Sequence, residues 1–155
     1  MFFGDQEQYA KSLESYYSGQ EGDLAPACIV RPENVTQVST AVKILSAAHL
    51  AEPGSCKFAV RGGGHTPSAG SANIDAGVTI DLGSMNSVTI SKGQGWTSIG
   101  PGALWGEVYS KLDPMNLSVV GGRSNLVGVA GLTTGGELAR MAQNATESDV
   151  DHKAM

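Results

Sequence analysis

"VRGGGHTPSAGS", residues 60–71, sets three consecutive glycines against a histidine directly after a β-type run. Glycine loses more conformational freedom on folding than any other residue, so the run Gly62, Gly63, Gly64 requires a reason. Either the chain turns sharply here, or its backbone comes very close to something. The first reading is a strand-ending turn. The second is an anion cradle, in which successive bare N–H groups reach phosphate oxygens only where no Cβ blocks the approach. His65 is a structural or surface histidine on the first reading and a functional one on the second.

Working upstream, "KFAVRGGG" reads as a strand that ends in the glycines, and "PACIVRP" as a short apolar strand bounded by Pro26 and Pro32. Between them, "NVTQVSTAVKILSAAHL" places Val35, Val38, Val42 and Leu45 on one helical face, with Asn34 as N-cap. Strand, helix and strand with short connections make a βαβ unit with a right-handed crossover. Both strands are near-continuous apolar runs, as parallel strands buried on two faces are. Further upstream, Tyr9, Leu13 and Tyr16 fall at helical spacing in "FGDQEQYAKSLESYY".

Downstream, "GVTIDLGSMNSVTIS" and "GWTSIGPG" supply three β-rich pieces with tight Gly/Asn turns, Asp81 reading as a turn residue. "ALWGEVYSKL" is a helix with Leu104, Val108 and Leu112 four apart, and Trp96 and Trp105 are expected to pack in the core. "LSVVGGRSNLVGVAGLTTGG" is apolar and glycine-rich without a clear period. It forms a second glycine loop, Gly121 to Gly136, able to close over the same ligand as the first. From Glu137 the chain turns polar and reads as a solvated tail.

With 155 residues the chain suits one domain with a real core. A net charge of −5 and the lack of any basic run argue against nucleic acid. No apolar stretch approaches membrane-spanning length. A Walker loop is excluded, because no Gly-Lys-Ser/Thr follows, and neither glycine loop shows Gly-x-Gly-x-x-Gly opening a regular helix. Any nucleotide is therefore held by another scheme. The start "MFFGDQEQYAKS" lacks the basic and apolar regions of a signal peptide. Two cysteines and sequons at Asn34, Asn116 and Asn144 point instead to a secreted design.

"FAVRGGGHTPSAGSANIDAGVTIDLGSMNSV", "SIGPGALWGEVYSKLD" and "VVGGRSNLVGVAGLTTGG", in order and with family-like spacing, resemble the FAD-binding domain of FAD-linked oxidases. These form the vanillyl-alcohol oxidase superfamily, and the likeness is to its fungal berberine-bridge-enzyme-like group. The resemblance covers roughly residues 9 to 136. It implies an α+β fold: a PCMH-type FAD-binding domain, with an N-terminal βαβ subdomain and the start of a second, mixed-sheet subdomain, truncated. Residues 1–25 would be an N-terminal helical segment, 26–136 the partial domain and 137–155 a divergent polar tail.

The resemblance also implies the site. The loop matching Arg61, Gly62, Gly63, Gly64, His65 and Thr66 would wrap the FAD pyrophosphate, Arg61 adding positive charge unless it is merely solvated. In an intact protein, His65 would bond covalently to the flavin 8α-methyl carbon, with little or no covalent flavin expected on this chain by itself. The segment carrying Gly122, Ser124, Val127, Gly128 and Gly131 would line the flavin and its ribityl-diphosphate chain. Ser124 stands where some members carry a second, cysteinyl link, so at most one covalent bond is expected. The implied activity is hydride transfer from an alcohol, sugar or alkaloid-like substrate to FAD, then electrons to oxygen. The implied partners are FAD, a small-molecule substrate and oxygen, with no metal. No catalytic residue is assigned, because the family's catalytic base lies in a substrate domain that this sequence does not show. The chain is expected to be inactive by itself, a flavin-binding module or an inert truncated product being the alternatives. Cys28 and Cys56 begin two candidate neighbouring parallel strands, which leaves a disulfide or two separate thiols. The secreted-family resemblance favours the bridge.

Overall fold

The computed structural model describes residues 1–135, and these form an α+β fold. Two short helices, α1 (Glu7–Glu14) and α2 (Gly19–Gly22), precede a parallel sheet. Its strands are β1 (Cys28–Val30), β2 (Phe58–Arg61) and β3 (Val78–Asp81), and α3 (Val35–Ala51) joins the first two. The expected βαβ unit is present, and the Asn34 side chain caps α3 by accepting a hydrogen bond from the Gln37 N–H at 3.0 Å.

The strand order is β1-β3-β2, with β3 parallel to both neighbours. The chain therefore returns after the glycine loop to insert β3 between the two earlier strands. This corrects the disulfide expectation. With β3 between them, β1 and β2 lie two strand spacings apart, roughly 10 Å. That is beyond the ~4.4–6.8 Å Cα separation of a disulfide. Both thiols are free, and Cys56 sits exposed before β2 at φ 48°. Burial raises the pKa of the Cys28 thiol above its ordinary value. Phe2 covers the outer edge of β1 through reciprocal backbone bonds with Ile29 at 2.8 and 2.9 Å.

Strand alternation assigns the two sheet faces. Ile29, Ala59, Arg61, Thr79 and Asp81 share the face under α1 and α2, whereas Cys28, Val30, Phe58, Val60, Val78 and Ile80 share the face under α3. The helix covers its face loosely. Val38, Val42 and Leu45 are half-buried, but Val35, expected on the same face, is 74% exposed. An apolar groove of about 380 Å³ runs between α3 and Cys28, Val30 and Val78.

The second layer is built from an antiparallel hairpin, β4 (Val88–Ile90) and β5 (Thr97–Ile99), with α4 (Trp105–Leu112) and α5 (Val129–Gly135). Val88, Ala103, Trp105, Val108, Leu112 and Val129 form its core. Leu104, expected within the helix, sits at the N-cap of α4, its N–H donating to the Glu107 carboxylate at 2.7 Å. Trp105 packs as expected, but Trp96, just before β5, is 64% exposed and does not. The unpatterned glycine-rich stretch ends in α5. The tail from Glu137 lies outside the described residues, within which no helix is long and apolar enough to cross a membrane.

Candidate functional site

The two glycine loops meet backbone to backbone. A Cβ built on Gly63 would lie 2.6 Å from both Cα and N of Gly128, and one on Gly128 would lie 2.4 Å from the Gly63 nitrogen. Each glycine occupies the space that a side chain on the other would need. Gly64 is glycine for a different reason, since its φ is +65° and a Cβ would strike the Arg61 guanidinium and Tyr16. The turn and the close approach are thus both present, one residue apart.

Hydrogen bonds of the second layer fix the second loop. Trp105 N–H donates to the Val127 carbonyl, and Val129 N–H donates to Ala103, at 3.0 and 2.9 Å. These bracket Gly128 opposite Leu104. Gly122 is buried against the Trp105 indole, and its carbonyl accepts from the Tyr109 hydroxyl, whose pKa burial raises. Val127 packs on the second core, and Ser124 is half-buried, its carbonyl accepting from Val127 N–H at 3.4 Å. Gly131 lies open in the first turn of α5, where backbone N–H groups have no intrahelical acceptor.

Among the described residues, the N–H groups of Gly63, Gly64 and His65 donate no hydrogen bond, nor does that of Gly128. Donors left bare in so tight a junction suit an anion. Thr66 has its hydroxyl occupied locally, accepting from Ser68 N–H at 3.2 Å. His65 is half-buried, its ring stacked on Tyr17 with centroids 4.1 Å apart and planes at 17°.

Arg61 is neither solvated nor turned to the loop's donors. It is 5% exposed. Nη1 donates to the Ser12 carbonyl and hydroxyl at 2.7 and 3.0 Å, and Nη2 donates to the Ser15 carbonyl and hydroxyl at 3.2 and 2.8 Å. The guanidinium carbon lies 3.8 Å from the Tyr16 ring centroid. Arg61 thus pins α1 beneath Gly64, and its charge serves the support of the loop. Asp81, read as a turn residue, does accept from Gly83 N–H at 2.9 Å, but it is also buried and paired with Arg31 at 2.7 Å. Glu21, fully buried, accepts from the N–H groups of Gly70, Ser71 and Ala72 at 3.3, 3.0 and 2.7 Å, and so anchors the far end of the loop.

Sequence reasoning missed Tyr17, Glu21 and the Ser12–Ser15 pair. Tyr17 falls off the apolar stripe of Tyr9, Leu13 and Tyr16, and the other three are polar residues in or beside the polar helices α1 and α2. The adjacent Tyr16–Tyr17 pair was the one available signal, because two neighbouring aromatics cannot share one helical face. No group of three or more metal-ligating side chains occurs among the described residues.

Comparison with known proteins places this geometry. A family model described as an FAD binding domain matches residues 26–152, past the Gly136 at which the sequence likeness was expected to end. An FAD-dependent monooxygenase of Emericella nidulans is 45% identical over 128 residues, covering 83% of this chain and 26% of the relative. Another, from Aspergillus calidoustus, is 44% identical over 134 residues, covering 86% and 25%. The chain thus spans about a quarter of the length of these curated relatives. Among solved structures, 6-hydroxy-D-nicotine oxidase of Arthrobacter nicotinovorans superposes with a TM-score of 0.72 at 26% identity, over 84% of this chain and 27% of that one. Glucooligosaccharide oxidase of Acremonium strictum, described with a 6-S-cysteinyl, 8α-N1-histidyl FAD, shares the fold at 23% identity and a TM-score of 0.68, over 84% and 26%.

Proposed function

The chain belongs to the FAD binding domain family of FAD-dependent oxidoreductases, and on that premise we propose that its paired glycine loops hold the FAD pyrophosphate. The observation that carries this is the Gly63–Gly128 junction, with bare N–H groups at Gly63, Gly64, His65 and Gly128. Such a junction fits a diphosphate, whose oxygens accept from fixed N–H groups without the ordering cost of long side chains. Because each glycine fills the other's side-chain space, the group would rest along the junction's donors and not between the two Cα atoms.

His65, next in the chain, is the proposed attachment residue for the flavin ring. That bond would replace an 8α C–H and the imidazole N–H, with two protons going to solvent and two electrons to the flavin, from which oxygen would take them. Ser124 cannot form a thioether, so His65 is the single link. The flavin, when bound, supplies the hydride acceptor, and the protein supplies position and electrostatics. The whole protein would oxidise a small alcohol, sugar or alkaloid-like molecule with oxygen as electron acceptor. The fungal relatives' name of monooxygenase favours a second outcome, insertion of an oxygen atom into that substrate. Binding of flavin without turnover is the role proposed for this chain by itself, since it spans about a quarter of those relatives. The family resemblance and the sequons support a secretory route for the protein.

The test is titration of the whole protein and of this chain by itself with FAD, followed by denaturation and peptide mapping of both. Expected are FAD retention, a flavin mass on the His65 peptide of the whole protein with little or none on this chain by itself, and release of the flavin on denaturation in the whole protein's His65→Ala variant. Failure to bind FAD overturns the cradle, and an adduct on any other residue overturns the role of His65.

A further inference from the structure

Tyr17 is two-thirds exposed, yet its ring lies flat against His65. An exposed aromatic gains little from burial, so something other than the core must hold it there. Its backbone supplies the answer. Tyr17 N–H donates to the Gly64 carbonyl at 3.0 Å, tying the residue to the last glycine of the loop. On one side Tyr16 is driven inward, its ring against Arg61 and its hydroxyl donating to the Ala72 carbonyl at 2.9 Å. On the other side the Ser18 hydroxyl reaches the Pro67 carbonyl at 3.3 Å and caps α2. The three residues 16–18 are therefore fastened to positions 61, 64, 67 and 72, a span that brackets His65.

We propose that Tyr17 is the positioning residue for His65, holding the imidazole in one orientation beside the bare donors of the glycine junction. The proposal rests on the flavin reading of that junction. Gly64, in the left-handed region, turns the chain so that His65 leaves the loop towards the phenol, and the stack then removes the freedom of its χ angles. A nitrogen that must meet a cofactor carbon gains rate from being held in register. Misplacing such a group by about 1 Å costs up to about 100-fold in rate. Tyr17 precedes residue 26, where the family match begins, so the positioning is supplied by the N-terminal segment. The stack needs a ring face and not a hydroxyl, which makes phenylalanine a rescuing substitution and leucine a breaking one.

The experiment uses the 155-residue chain with ring-labelled histidine, comparing wild type, Tyr17→Phe and Tyr17→Leu. Expected are an upfield ring-current shift and single-rotamer couplings for His65 in wild type and Tyr17→Phe. In Tyr17→Leu both should be lost while the rest of the spectrum is retained. With FAD added to the whole protein, Tyr17→Leu should form the His65 adduct ~tenfold more slowly, at an FAD affinity within about twofold of wild type, and Tyr17→Phe should restore the rate. Unchanged His65 couplings in Tyr17→Leu overturn the proposal. So does a lost stack with an unchanged adduct rate. If wild type binds no FAD, the flavin reading falls, and the couplings alone decide whether Tyr17 orients His65.

Discussion

The two faces of the parallel sheet are held in opposite ways. Under α1 and α2 the buried Ile29 and Ala59 lie beside a polar set whose members are bonded: Arg61 to Ser12 and Ser15, Asp81 to Arg31, and Thr79 to Asn73 at 2.7 Å. Under α3 the residues are apolar, the helix has no fully buried side chain, and a groove separates it from Cys28, Val30 and Val78. A polar network in low dielectric is costly where a member lacks a partner, as Arg61 Nε does among the described residues, and rigid where its members are paired. An apolar contact is tolerant, because it has no direction. The glycine loop leaves the end of β2, where the polar face terminates at Arg61. The part of the sheet that must hold a backbone in register is the part built from directional bonds.

Breaking the polar face should therefore cost most. Arg61→Met removes the donors to the Ser12 and Ser15 carbonyls and the support beneath Gly64, and should lower unfolding free energy by about 3 kcal/mol. Urea denaturation measures this, and a loss below about 1 kcal/mol would mean that α1 is held by other contacts. The junction comes next. Gly63→Ala and Gly128→Ala each place a methyl against backbone and should cost about 1–3 kcal/mol. The double variant should cost less than the sum, since once the loops are apart the second methyl has room. FAD retention should fall in all three, and strict additivity would show that the two glycines are not in contact in solution.

How much of this the sequence discloses follows the same division. The βαβ unit, the Asn34 cap, α4 and the glycine loops are legible, because periodicity and capping are local properties. The insertion of β3 between β1 and β2 is not, since "VTID" carries no record of its neighbours, and the disulfide expectation failed with it. Arg61 reads from the sequence as solvated or phosphate-facing, because its partners, Ser12 and Ser15, lie 46 and more residues upstream. The helix α5 is hidden by Gly131 and Gly135, glycine disfavouring a helix by about 1 kcal/mol relative to alanine. His65 and its loop stand out in the sequence, while what holds them does not.

Tyr16 sharpens the comparison by pH. Burial is the main cause that raises its pKa well above the ordinary 10.0, with nearby Asp81 and Glu21 adding to it and Arg61 opposing. Above pH 10 the unfolded chain releases this proton while the folded chain keeps it, so stability is full below pH 10 and falls as pH rises further. Tyr9 acts with the same sign. Tyr16→Phe should cost about 1 kcal/mol at pH 7, for the lost bond to Ala72, and should show a flatter decline between pH 10 and 11. An equally steep decline would assign the alkaline sensitivity to other groups.

The smallest effect should come from the α3 face. Ile44 lines the groove and is 63% exposed, so little apolar area leaves water when the chain folds around it. Ile44→Gln should change stability by no more than about 0.5 kcal/mol, the range of surface substitutions. Denaturation at two protein concentrations tells a bare groove from a covered one. If Ile44→Gln instead costs about 2 kcal/mol and the wild-type midpoint rises with concentration, a second copy covers the groove, because only an associated state gains stability by mass action. If the cost is large at every concentration, Ile44 is buried within a single chain. The face would then be as demanding as its polar counterpart, and the contrast between the two would fail.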